Sequence, residues 1–388
     1  MENSLESIVA FIVFLLAAAL IVGLIAQRAR IPYAVALLLA SLPFHHSQAR
    51  AFGLQVLFVF LPALIFEAAW NLDVASLRRT WKPIALLAIP GVLFTALLVG
   101  YGLSWSGQLP LREGILLGSI IAATDPIAVI ATFRRLAVPH DLAMIVEGES
   151  LFNDGTAVVL YSAMLASLDP HATLLPIGIA FHAMIATLGG AALGFLGAFA
   201  IASLLRGTQD VMLHIVASVV VAYGVFLTAE HLHVSGIFGV LTAGIALRAF
   251  RHFPYEEQIQ LEIDRFWSVL AFLANSLVFL LLGLRIEAKR IFHEPHLIFS
   301  TLLLIFITRT MLSYGPLRLM LPSQHRTHWQ HVITISGMRG ALSLALAVLL
   351  PETTQYRAVI IDAVFAVVTT TLIVQGLTIT PILRRLTL

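Results

Sequence analysis

Glu147-Gly148-Glu149-Ser150-Leu151-Phe152-Asn153-Asp154-Gly155-Thr156-Ala157 packs three carboxylates, an amide and hydroxyls into eleven residues. The chain then runs without a break into Val158-Val-Leu-Tyr-Ser-Ala-Met-Leu-Ala166, apolar enough for lipid. A lone charge at the centre of a bilayer costs about 2.5–3.5 kcal/mol on insertion scales, so acids placed there need partners or a purpose.

The surroundings make the membrane reading firm. Of 388 residues, 59% are hydrophobic and 11% charged, with a mean hydropathy of +0.95. A soluble domain carries about a quarter charged residues. The pI of 9.1 is no sign of nucleic-acid binding, because the basic residues sit in short loops beside apolar spans. Cysteine is absent, which excludes disulfides, thiol catalysis and thiolate metal sites. The fourteen histidines, including His45, His46, His231 and His233, fall mostly at loop positions without metal-ligand spacing. The N-terminal run has acids but no basic residue before its apolar stretch, so it predicts a retained helix rather than a cleaved signal. The chain stops soon after Arg384-Arg385, and no soluble domain or cofactor is expected.

At about 20 residues per span, thirteen transmembrane helices are predicted. They lie near 5–26, 32–43, 53–71, 82–104, 113–133, 141–167, 173–205, 211–230, 234–250, 264–284, 293–317, 329–350 and 357–382. With the N-terminus outside and the C-terminus inside, fifteen Lys and Arg collect in inner loops against six in outer ones. That asymmetry is what the positive-inside rule demands. Gly189, Gly190, Gly194 and Gly197 suggest a close helix contact.

Two spans are interrupted. The fifth contains Ala123-Thr-Asp-Pro126, where proline removes a donor and clashes with the preceding turn. The twelfth contains Ser336-Gly-Met-Arg-Gly340. Interruptions at corresponding places in two halves point to the binding site of an inverted-repeat transporter. Two inverted six-helix repeats with crossed discontinuous helices are therefore expected, although no residue-level repeat is visible.

Glu67 lies about 21 Å down its span, and Asp125 and Asp154 each about 20 Å, at 1.5 Å per residue. Arg339 reaches similar depth from the other side. On a helix, Glu147, Ser150 and Asp154 share one face, while Glu149 and Asn153 share another. The first stripe would aim at a site and the second at neighbouring helices. The chemistry that fits is exchange of a hard monovalent cation for a proton. Broken helices supply free carbonyls beside carboxylates, and a buried carboxyl holds a proton more readily than an exposed one.

Phe66-Glu-Ala-Ala, Ala-Thr-Asp-Pro, Glu-Gly-Glu-Ser-Leu-Phe-Asn-Asp-Gly, Asn275-Ser-Leu-Val-Phe-Leu and Gly-Met-Arg-Gly-Ala-Leu-Ser-Leu-Ala follow one another along nearly the whole chain. Together they resemble the monovalent cation–proton antiporters, in their NhaP/NHE-like branch. The resemblance implies Na⁺ (or Li⁺ or K⁺) exchanged for H⁺, electroneutral at one to one, in a multi-pass protein of the plasma membrane. It also implies a homodimer with an interface part (roughly 1–72 and 173–284) and a mobile core (roughly 82–168 and 293–385) moving like an elevator. Asp154 would bind cation and proton, with Ser150, Thr124 and Glu67 as further oxygen ligands. Asn153 matches the electroneutral members, since electrogenic relatives carry a second aspartate there. Asp125 would ligate or, with Arg339, compensate helix-dipole ends. Glu149 would pair with Arg339, leaving Glu147 and Arg309 to each other.

Two other readings fit less well. A cation channel or uniporter has no need of two broken helices. An intramembrane aspartyl protease using Asp125 and Asp154 would require Tyr-Asp and Gly-X-Gly-Asp motifs, and neither occurs.

Overall fold

The structure, a computed structural model, describes residues 5–29, 31–41, 55–136, 138–168, 176–250, 257–285 and 294–385. They form α-helices joined by short turns: α1 (Leu5–Ala29), α2 (Tyr33–Ser41), α3 (Gln55–Asn71), α4 (Val74–Ala88), α5 (Pro90–Trp105), α6 (Leu111–Ala122), α7 (Ile127–Leu136) and α8 (His140–Ser167). There follow α9 (Pro176–Leu204), α10 (Val211–His231), α11 (Gly236–Ala249), α12 (Glu257–Arg285), α13 (Pro295–Tyr314), α14 (Arg326–Ile335), α15 (Ala341–Val348) and α16 (Arg357–Arg385). Arg30, Arg50, Arg251, Lys289 and Arg290, used in the charge count, lie outside the described residues.

Among the described residues, seven helical stretches are long and apolar enough to cross a membrane. The helix that carries the opening motif is not one of them. At 28 residues α8 is long enough, but its acids, amide and hydroxyls dilute its apolarity. Both interrupted spans are also missed by such a test, because each is two short helices.

Two predicted boundaries move substantially: the tenth span begins at Glu257, not 264, and the fourth shifts further. The fourth span begins at Val74, not 82, and joins α5 through a kink at Ile89-Pro90 to make one stretch over Val74–Trp105. Asp73 is the reason: its carboxylate accepts from the Ala75 and Ser76 amides at 3.2 and 3.0 Å and starts the helix early. Arg78, Arg79 and Lys82 therefore ride on the first turns of α4 rather than in a loop.

Small residues bring the helices together. A Cβ on Gly190 would overlap the Ser235 carbonyl and one on Gly194 the Gly239 carbonyl, so α9 and α11 pack nearly backbone to backbone. The Ser235 amide donates to the Ala186 carbonyl at 2.9 Å across the same seam. Around it, α3, α10, α11 and α12 share a core in which Phe66, Trp70 and Trp267 are fully buried. Phe66 lies 4.4 Å from the Trp267 ring, and the two indole N–H groups are both used, on Asp264 and Ser218. A second apolar cluster joins α6, α15 and α16 with α1 and α2. Helix α8 touches both clusters, through Leu151 on one side and Tyr161 and Met164 on the other.

Candidate functional site

Each break is held open by its own residues. Helix α6 ends at Ala122, and Pro126 cannot continue the ladder back into it. The Asp125 carboxylate accepts from the Ile127 amide at 2.9 Å and caps α7. In the second break, Ser336 returns its hydroxyl to the Ile333 carbonyl at 3.0 Å, and the Met338 amide donates to the Ser336 carbonyl at 2.8 Å.

The breaks meet. The Asp125 amide donates to the Met338 carbonyl at 2.8 Å, a backbone bond between chain segments more than two hundred residues apart. Gly340 is required there by space rather than by its dihedrals, because a Cβ would overlap the Asp125 side chain. The Asp125 carboxylate also takes a hydrogen bond from the Ala341 amide, so one acid stands at the N-termini of both α7 and α15. Helix N-termini carry partial positive charge, and a carboxylate there is stabilising.

Helix α8 crosses in front of this junction. Ser150 and Asn153 both face the first break. The Thr124 amide donates to Asn153 Oδ1 at 3.3 Å, Asn153 Nδ2 donates to Thr124 Oγ1 at 2.6 Å, and Thr124 Oγ1 lies 2.9 Å from Ser150 Oγ. The second stripe thus reaches a neighbouring helix as expected, through Asn153 on the first break, and Ser150 of the first stripe meets the same residue, Thr124. The Ser150 hydroxyl is engaged across the helix interface, on Thr124. One turn on, Asp154 has a carboxylate oxygen, Oδ1, that is buried without a hydrogen-bond partner.

The far side of α8 is closed by charge. Both oxygens of Glu149 are gripped by Arg309 of α13, Oε1 by Nη1 and Oε2 by Nη2 at 2.7 Å. The expected pairing of Glu149 with Arg339 and of Glu147 with Arg309 is therefore incorrect. Arg309 wins because Gly337 leaves it room: a Cβ there would sit 3.1 Å from its Nε. Its Nε also donates to the Ile333 carbonyl at 3.0 Å, so Arg309 serves the C-terminal end of α14. Arg339 is buried beside that pair, its backbone amide on Thr371 Oγ1 at 3.3 Å and its Nε and Nη1 without partners.

Asp154, Ser150, Thr124, Asp125, Glu67 and Glu147 all line one cavity of about 1060 Å³. Glu67 accepts from Asn71 Nδ2 at 2.7 Å. Asn71, also a lining residue, went unnoticed in the sequence, though its spacing of four from Glu67 was the signal. Further along the cavity stand His182, Glu230 and His233, none of them among the site residues expected from the sequence. Among the described residues no three His, Asp or Glu side chains gather closely enough to hold a metal ion. The donors that do meet are a carboxylate, two hydroxyls and broken-helix backbone, all oxygen, as a hard cation prefers.

Comparison with known proteins places the chain in a family. Residues 15–385 match the family described as "Sodium/hydrogen exchanger, transmembrane". The chain is 36% identical over 372 residues to the Na(+)/H(+) antiporter ApNhaP of Aphanothece halophytica, covering 92% of this chain and 70% of that protein. It is 31% identical to the Na(+)/H(+) antiporter NhaH of Halobacillus aidingensis, with 97% of both covered. Its fold is similar to that of the sodium proton antiporter MjNhaP1 from Methanocaldococcus jannaschii at pH 8, with a TM-score of 0.82, 21% identity and 99% of each chain covered. The chain belongs to the transmembrane sodium/hydrogen exchanger family and is a transporter, not an enzyme.

Proposed function

We propose that this protein exchanges Na⁺, or another small monovalent cation, for H⁺ at Asp154. The observation that carries this reading is the buried, unpartnered Oδ1 of Asp154 on a cavity shared with the Thr124–Ser150 hydroxyl pair. A carboxylate left without a donor in a buried site is costly unless a ligand completes it. One proton or one cation does so equally in charge, and the two exclude each other at the same oxygens. Asn153 adds no further charge, so both half-cycles carry the same net charge at the site and the exchange is one for one.

In this reading Ser150, Thr124 and Glu67 supply the remaining oxygens, and Asp125 holds the two half-helix N-termini. With only two carboxylates among the ligands, the site binds loosely enough to release its ion on either side. The chain crosses the plasma membrane thirteen times, N-terminus outside and C-terminus inside, as two inverted six-helix repeats. A homodimer built on residues 1–72 and 173–284 would anchor a core of 82–168 and 293–385 that shifts like an elevator. The small-residue seam between α9 and α11 supports the rigidity such an anchor needs.

Purified protein in liposomes loaded with a pH dye tests this. A Na⁺ pulse is expected to move protons, and the signal is expected to vanish with Asp154→Ala. Proton movement that persists in that variant would refute the assignment. With voltage clamped by K⁺ and valinomycin, a rate that changes with potential would refute one-to-one exchange.

A further inference from the structure

We propose that Asn153 sets the direction of a hydrogen-bond chain through Thr124 to Ser150, making the Ser150 hydroxyl a donor into the cavity beside Asp154. This rests on the reading of Asp154 as the exchange site and adds to it a positioning residue that acts through two others.

The direction follows from groups that have no choice. A backbone N–H can only donate, so the amide oxygen of Asn153 must face the Thr124 amide, where it is found at 3.3 Å. Turning the side chain over would set donor against donor. The Asn153 NH₂ is then obliged to face Thr124 Oγ1, at 2.6 Å. An NH₂ also only donates, so Thr124 Oγ1 accepts there and its own proton must leave by another route. The one other partner of that oxygen is Ser150 Oγ at 2.9 Å. Ser150 Oγ accepts that proton and makes no bond to its own helix. Its own hydrogen is therefore left to point at the cavity, where Asp154 Oδ1 lacks a donor. A lone pair on Ser150 Oγ remains for a cation. All three side chains are nearly inaccessible from the protein surface, with Thr124 3%, Ser150 2% and Asn153 1% exposed, and Asn153, which sets the order, does not line the cavity.

An aspartate at 153 would reverse the chain. Both its oxygens accept, so Thr124 would donate to the carboxylate and Ser150 would donate to Thr124, showing the cavity lone pairs only. The test is a cycle on the apparent KM for Na⁺ in proteoliposomes at a single pH. Asn153→Asp is expected to shift KM by roughly fivefold, within the range seen for coupled neighbours. In a Thr124→Val background, where the chain is cut, the same substitution is expected to shift it by less than about twofold. In a Thr124→Ser background, which keeps the hydroxyl, the full shift is expected to return. An equal shift in the valine background would mean that the added charge acts through space, and no shift with threonine present would mean that direction is irrelevant. Either result overturns the proposal. If the valine double variant does not fold, Ser150→Ala removes the last member of the chain and must abolish the shift in the same way. If Asn153→Asp itself does not fold, Asn153→Ala goes through the same cycle. Asp154→Asn is run beside them: exchange surviving there would sink the parent reading and leave the chain's direction to be judged on the Na⁺-induced rise in melting temperature of the same variants.

Discussion

Glu149 and Asp154 stand five residues apart on α8, both within the same buried crossing, and they are treated in opposite ways. Glu149 has both oxygens saturated by one guanidinium, which is itself tied to the Ile333 carbonyl. Asp154 has an oxygen with nothing to accept from, and that oxygen belongs to a residue lining the large cavity. The first arrangement is stable because nothing is left to bind. The second leaves one buried acceptor open, which is what the exchange proposed at Asp154 requires. A single helix thus carries a fixed charge pair on one side and an acid with an unpartnered oxygen on the other.

The contrast breaks most readily at Glu149. Glu149→Gln leaves the Arg309 charge buried without a counter-charge, and removing one partner of a buried pair costs about 3–5 kcal/mol. A fall of many degrees in the melting temperature of purified protein is expected. Asp154→Asn is expected to leave melting unchanged or raise it, since an unpaired acid is being neutralised, while Na⁺-driven proton movement disappears. If the two variants melt alike, the division of labour on α8 is wrong.

A smaller effect is expected where the breaks touch. Gly340→Ala forces a methyl into the Asp125 side chain, and overpacking of this kind costs about 1–3 kcal/mol. Because Asp125 caps both half-helices, exchange should fall more than stability does. Asp125→Asn should fail to relieve the clash, since the amide is as large. A Gly340→Ala protein with native exchange would show that the two breaks are not held as closely as the Asp125–Met338 bond implies.

Much of this was legible beforehand, and what was not had a physical cause. Pro126 and the Gly337/Gly340 pair announced both breaks, because such residues cannot sit quietly inside a helix. Helical spacing placed Ser150 and Asp154 together correctly. It also sent Asn153 toward a neighbouring helix, but that Asn153 and Ser150 would meet on one residue, Thr124, depends on the break in the other segment, and periodicity on α8 says nothing of its neighbour. The choice of Arg309 over Arg339 as partner to Glu149 was also invisible. It depends on the space that Gly337 leaves for a side chain arriving from a third helix. The early start of α4 could have been read, since Asp73 precedes Ser76 at capping distance, but the charges at 78, 79 and 82 argued for a loop.

Asp73 extends the comparison to the surface. Like Glu149 its carboxylate is engaged, but chiefly by two backbone amides, with His140 Nε2 3.6 Å away, and it is about half exposed. Ser76, through its hydroxyl and then its amide, holds the Asp73 carboxyl down to about 2. A folded value below the unfolded one means that the stabilisation is complete above the ordinary carboxylate range. It is lost only as pH falls through about 2. Asp73→Ala is therefore expected to cost about 1 kcal/mol, the usual worth of a helix cap. The difference in melting temperature from the native chain should be flat between about pH 5 and pH 9, since no ionisation of Asp73 falls in that window. The exchange rate should keep its native pH profile over the same range. A profile displaced by Asp73→Ala would mean that the N-terminal turn of α4 is coupled to Asp154, and that saturated and vacant carboxylates are not as separate as their contacts make them.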